Sequence, residues 1–270
     1  MYIPNSTTSI PPADMVMPYT EQVIFTIATH IPFIIFMSMG LRNYLAHGDP
    51  KALLFGIGGC FAVMWEPIVD VLGFCYFPRE GNWIAFETFG RPIPMFMPAT
   101  YGWFVGGMGY WLWTTFQDPK TTGKDLPFLW IRGFCINLLL EYPPIYFKIY
   151  TYYGYQPLEI RGFPLWFPAV NATAPMVAAT LVNLITPHLT GYKSLIIIST
   201  TAASYGIASA AFVCPIWVAL GADSGYFVSY LGVGATGILL YGGIWVMSLQ
   251  FKVKDNLRND SRDSAKTVKG

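Results

Sequence analysis

ALLFGIGGCFAVMWEPIVDVLGF, residues 52–74, is apolar over its whole length apart from two acids, Glu66 and Asp70. A bilayer core about 30 Å thick is crossed by roughly 20 helical residues, so this stretch predicts a membrane span. Working outward, six further stretches have the same character: 23–41, 95–116, 128–149, 165–187, 195–220 and 226–251. Turn and breaker residues punctuate them, as in His47-Gly48-Asp49-Pro50 and Thr190-Gly191. Composition agrees. Hydrophobic residues make up 54% of the 270 and charged residues 11%, against about 25% charged in a soluble domain. So little polar surface cannot cover a soluble core. Disorder is excluded on the same grounds, and a net charge of +1 gives no electrostatic footprint for nucleic acid.

The expected fold class is all-α: a polytopic membrane protein with a single bundle of about seven transmembrane helices over 23–251. A segment 1–22 precedes it, and a charged tail 252–270, read as disordered, follows. Nine of the 31 charged residues fall in that tail. Basic residues favour the cytoplasmic side. With seven spans, one side collects eleven of them, including Arg42, Lys51, Lys120, Lys124 and Lys193, and the other only Arg79, Arg91, Lys148 and Arg161. The N-terminus is therefore expected outside and the C-terminus in the cytoplasm. No basic n-region precedes the first span, which is expected to act as an uncleaved anchor. The host membrane would be the endoplasmic reticulum in a eukaryote and the plasma membrane in a bacterium. In a eukaryote Asn5 would be a usable glycosylation sequon. Cys60, Cys75, Cys135 and Cys214 have no metal or redox spacing and read as packing residues. Glycines such as Gly102, Gly106 and Gly109 suit close helix packing.

Ionisable groups at membrane depth are costly and point to function. Glu66 and Asp70 lie four residues apart, hence on one helix face. At 1.5 Å per residue, Glu66, Glu141 and Asn171 all sit about 20 Å above the predicted cytoplasmic ends of their spans. Each has a proline close by: Pro67, Pro143-Pro144 and Pro175. A proline removes a helical hydrogen bond, and irregular backbone at depth is tolerated where it is buried or lines a cavity. The pattern predicts one cavity in the outer half of the bundle. The alternative reading is structural, with carboxyl groups bonded to neighbouring backbone. Asn137 and Asn183 read as interhelical hydrogen-bonding residues, and His30 as a packing or capping residue. The outer loop 76–94 mixes charges with aromatics and reads either as a lid, with Trp83 and Phe86 inward, or as an interfacial aromatic belt.

No nucleophilic triad, metal-binding motif or phosphate loop is present, and no metal or cofactor is expected. Paired carboxyl groups in an apolar, aromatic pocket suit general acid–base catalysis, because desolvation favours the neutral, donating form. Aromatic faces can stabilise a developing cation.

Trp65-Glu66-Pro67-Ile68-Val69-Asp70, the loop through Asn82-Trp83, and Glu141-x-Pro143 followed by Tyr152-Tyr153-Gly154 resemble the spirocyclase AveC-like family. That pattern has Asn where this chain has Asp70. A more distant similarity, on Trp65-Glu66, is to fungal membrane-bound meroterpenoid cyclases. The resemblance implies a membrane cyclase or dehydratase, with Glu66, Asp70 and Glu141 at the catalytic positions. Substrate contacts are expected from Asn171 and from Trp65, Asn82, Trp83, Tyr142 and Trp166. The implied partners are the lipid bilayer and a lipophilic polyketide- or terpenoid-like small molecule, with no nucleic acid; the oligomeric state stays open. Two other classes keep acids at depth or seven spans: a proton-coupled transporter or channel, and a receptor or scaffold.

Overall fold

The computed structural model describes residues 10–222 and 225–267, with side chains through Phe251. Asn5 and the middle of the last interhelical loop, Asp223-Ser224, lie outside the described residues. The chain is mostly helical and folds into seven helical bodies. Five are long and apolar enough to cross a membrane: Tyr19–His47, Lys51–Leu72, Trp166–His188, Gly191–Gly221 and Tyr226–Phe251. By length and composition the chain is a multi-pass membrane protein.

The first body is α1 (Tyr19–His47). Gly48 ends it in the left-handed conformation, φ 69°, returning its N–H to Tyr44, as a C-capping glycine does. The second body comprises α2 (Lys51–Ala62), a 3-10 turn Val63–Trp65 and α3 (Glu66–Leu72). Pro67 sits in the first turn of α3, where its missing N–H costs least. The break therefore falls at the acid-proline pair.

The predicted third span is α4 (Met97–Tyr101), a π-helical segment Gly102–Gly107 and α5 (Met108–Gln117). The fourth is α6 (Leu126–Tyr146), which carries Arg132, Asn137 and Glu141 and three prolines. They lower the apolar character of the fourth body, and Gly, Tyr, Trp and Thr residues lower that of the third, so neither matches the other five. A sequence window wide enough to find a span averages over such interruptions.

The fifth to seventh bodies are α7 (Trp166–Ile185), α8 (Ile196–Gly221) and α9 (Tyr226–Thr267). The backbone of α9 stays helical through residues 252–267, where the sequence pattern predicts a disordered tail.

α7 is the axis of the bundle. In its apolar window 72% of residues are buried, against 11% for α1, and it packs on α5, α6 and α8. Backbones approach closely at Gly59 and Gly106. A Cβ on Gly106 would overlap the Phe55 carbonyl oxygen, and one on Gly59 would lie 2.7 Å from the Tyr101 carbonyl oxygen. No side chain fits either position, so α2 and the π-helical segment touch main chain to main chain.

The all-α expectation omits three small antiparallel two-stranded sheets at one end of the bundle, two of them hairpins and the third joining strands far apart in sequence. β1 (Cys75–Tyr76) pairs with β4 (Thr151–Tyr152), β2 (Ile84–Thr88) with β3 (Arg91–Pro94), and β5 (Glu159–Ile160) with β6 (Phe163–Pro164). The two-residue turns Phe89-Gly90 and Arg161-Gly162 have positive φ throughout, the geometry that two-residue hairpins favour. Strands of two to five residues leave too short an alternation to read from sequence. Gln22 of α1, wholly buried, ties the layer down. Its Nε2 donates to the Gly81 carbonyl at 3.0 Å and its Oε1 accepts from the Trp83 N–H at 2.8 Å.

Candidate active site

Beneath the hairpins a chamber is enclosed by α3, α4, α6, α7 and α8. Glu66, Asp70, Glu141 and Asn171 all line it. Its walls border about 580 Å³ of space not filled by atoms, part of it open to the outside, and about 50 Å³ is wide enough for a water-sized group. One water needs some 10–15 Å³ of such space, so the chamber has room for only a few.

Each acid arrives there for a local reason. Glu66 and Asp70 occupy successive turns of α3 and are both buried. Glu141 lies two residues before Pro143 on α6, half-buried, and Asn171 is buried on α7. Tyr101 enters from the last residue of α4, immediately before the π-helical segment. Such segments re-aim side chains and are frequent at functional sites.

Hydrogen bonds join these residues. The Tyr101 hydroxyl donates to Glu66 Oε2, and its ring meets that of Tyr205 edge-on, centroids 4.9 Å apart. Tyr205 donates to Asn171 Oδ1 at 2.9 Å, and Asn171 Nδ2 donates to Glu141 Oε1 at 3.2 Å. Asn137 Nδ2 reaches the same Oε1 at 3.3 Å, and its Oδ1 accepts from Asn171 Nδ2 at 3.3 Å. The Tyr150 hydroxyl bonds Glu141 Oε2. Burial, then the adjacent Glu141, hold that hydroxyl well above the usual phenol range, so it keeps its proton and acts as a donor. Glu66 and Glu141 are thus joined by a chain of contacts, hydrogen-bonded at each end and passing between the Tyr101 and Tyr205 rings in the middle. Asp70 stands apart: it lines the chamber together with Cys75, and its Oδ2 is buried with no hydrogen-bond partner among the described residues.

No family model, curated protein or solved structure matches this chain.

Five other predicted contact residues do not line the chamber. Trp65 follows from helical geometry: neighbours on a helix point about 100° apart, so Trp65 and Glu66 cannot share a face. Its indole instead donates to the Ala202 carbonyl at 3.1 Å and fills the space that Gly206 leaves on α8, where a Cβ would overlap the ring. Tyr142, next to Glu141, is turned away likewise and donates to the Ile160 carbonyl at 3.2 Å. Asn82 closes its own loop by donating to the Pro78 carbonyl at 2.9 Å. Trp83 is exposed and packs edge-on against Tyr19, so it is not an inward lid residue. Trp166 is buried against Phe167 but faces a separate apolar groove between α6 and α9.

Sequence reasoning misses the phenols. Tyr101, Tyr150, Tyr152 and Tyr205 line the chamber, but they are 4 of 17 tyrosines, and nothing in type or spacing separates them from lipid anchors. Tyr205 carries the one available signal, a single phenol between Ser204 and Gly206 on a helix face of small residues. Asn137, read as interhelical, does bridge α6 and α7, but it does so at the carboxylate.

The arrangement places a carboxyl group at each end, each held by hydrogen-bonding side chains, with aromatic walls between them. Among the described residues no group of three or more His, Cys, Asp or Glu is arranged to hold a metal ion.

Proposed function

We propose that the protein is an integral-membrane cyclase or dehydratase that acts by acid–base chemistry on a lipophilic polyketide- or terpenoid-like molecule. In this reading all seven helical bodies span the bilayer, with the N-terminus outside and the hairpins covering the outer face, and only the reacting end of the substrate enters the chamber. The observation that carries it is the shared chamber of Glu66 and Glu141, bridged by Tyr101, Tyr205 and Asn171. The motif resemblance to AveC-like proteins points the same way.

Hydrogen-bond partners support the roles. In this reading Glu66 is the neutral acid: its Oε2 accepts from the Tyr101 hydroxyl, which leaves the other carboxyl oxygen to carry the proton into the chamber. After Glu66 gives that proton to a substrate oxygen, the Tyr101 hydrogen bond stabilises the new carboxylate. Glu141 receives amide N–H groups, which can only donate, together with the Tyr150 hydroxyl. It is the base that removes a proton from carbon or oxygen and closes the cycle. In a cyclisation one proton enters and one leaves; in a dehydration the protonated oxygen departs as water. Asp70 neighbours the acid, and Asn171 orients Glu141 through the same amide that was expected to orient substrate.

Transport is less well supported. Asn183, Gln117 and Gln250 form an amide cluster at the opposite end of the bundle, but among the described residues no acid connects it to the chamber.

The test is comparative metabolite profiling of cells carrying the wild-type protein, Glu66→Gln or Glu141→Gln. One lipophilic compound should accumulate in both variants and its cyclised or dehydrated product should vanish, with both proteins still present in the membrane. Unchanged product in either variant would remove that residue from the mechanism.

A further inference from the structure

The chamber holds three carboxyl groups, yet its aromatic lining contains no basic side chain. Among the described residues, Arg91 on β3 is the cation within electrostatic reach of Asp70, but it does not line the chamber. Its Nη2 donates to the Tyr153 hydroxyl at 2.5 Å, and its guanidinium lies over the Tyr76 and Tyr153 rings. One acceptor in the chamber is left unused. Asp70 is 1% exposed, lines the cavity, and presents Oδ2 with no partner. A buried acceptor of this kind costs about 1–3 kcal/mol unless a ligand or water satisfies it.

We infer that the chamber is a binding site for a compact organic ammonium ion whose N–H⁺ donates to Asp70 Oδ2 and whose alkyl groups pack on the surrounding rings. Three features define this ligand. The aromatic walls favour positive charge, since ammonium ions are attracted to ring faces and more strongly so when desolvated. The orphaned oxygen calls for a hydrogen-bond donor, which an ammonium N–H supplies together with that charge. The roughly 50 Å³ open to a water-sized group limits the head to small substituents. The carboxyl groups do not converge as metal ligands, so a diffuse alkylammonium charge fits better than a bare ion. The inference stands on the chamber's geometry alone and holds whether or not the chamber is catalytic.

The test uses the purified full chain in detergent with N,N-dimethylhexylamine, a cation at pH 7, and N,N-dimethylhexanamide, a neutral compound of similar size. Saturation-transfer NMR should give an affinity at least about tenfold higher for the amine. Asp70→Asn should erase that preference. Equal affinities in the wild type, or a preference that survives Asp70→Asn, would overturn the proposal. If Asp70→Asn loses its fold, ligand protection of the wild type decides: the amine should raise the thermal unfolding midpoint at concentrations where the amide does not. Equal protection by both compounds, or none by either, would overturn it. Neither result depends on turnover, so the catalytic roles of Glu66 and Glu141 are judged separately.

Discussion

Asn171 accepts from Tyr205 at 2.9 Å on one side of its amide and donates to Glu141 at 3.2 Å on the other. A single side chain on the central helix therefore fixes the relation between α8, which carries Tyr205, and α6, which carries Glu141. Replacing it by Ala strands both partners in a buried setting. Each unsatisfied group costs about 1–3 kcal/mol, so Asn171→Ala should lower the thermal unfolding midpoint measurably and reduce product formation. A variant of unchanged stability would mean that the bonds contribute nothing to the fold.

Tyr150→Phe removes a hydroxyl from Glu141 and little else. A hydrogen bond to a charged group contributes about 1.5–3 kcal/mol, so product yield should drop about tenfold or more while the protein stays folded. Trp83→Ala, outside the chamber, should leave product yield unchanged. Metabolite profiling of the two variants side by side checks both; a larger loss from Trp83→Ala would place the site under the hairpin layer instead.

Asn137 and Asn183 are both buried or half-buried amides in interhelical hydrogen bonds, yet only Asn137 touches a carboxyl group. Asn137→Ala should depress product formation more than Asn183→Ala at matched expression. The reverse order would favour a functional path at the other end of the bundle.

The contact between α2 and the π-helical segment leaves no room for a side chain. Gly106→Ala drives a Cβ into the Phe55 carbonyl oxygen, and overpacking of this kind typically costs about 1–3 kcal/mol. Gly237, where an added Cβ would have nothing within 4 Å, is the control. Gly106→Ala should unfold at a lower temperature in detergent, and Gly237→Ala should not.

What the sequence discloses follows from how strongly each feature is imposed by the bilayer. The spans are legible because hydrocarbon demands long apolar runs. Glu66, Asp70, Glu141 and Asn171 are legible because polar groups at depth are costly and few. The shared height of Glu66, Glu141 and Asn171 even anticipates a common cavity. The motif neighbours are misleading because Trp65 and Tyr142 adjoin the acids in sequence but point elsewhere on the helix. The phenols that complete the site escape notice because an aromatic residue in a membrane protein has many ordinary uses. The hairpins escape because their pairing is set by two-residue turns rather than by hydrophobic pattern.

The central claim is that Glu66 holds the proton and Glu141 accepts it within one chamber. Infrared spectroscopy of the purified protein reads this directly through the carboxylic acid C=O stretch. The band should shrink in Glu66→Gln and persist in Glu141→Gln. Persistence in Glu66→Gln together with loss in Glu141→Gln would reverse the assigned roles and contradict the account.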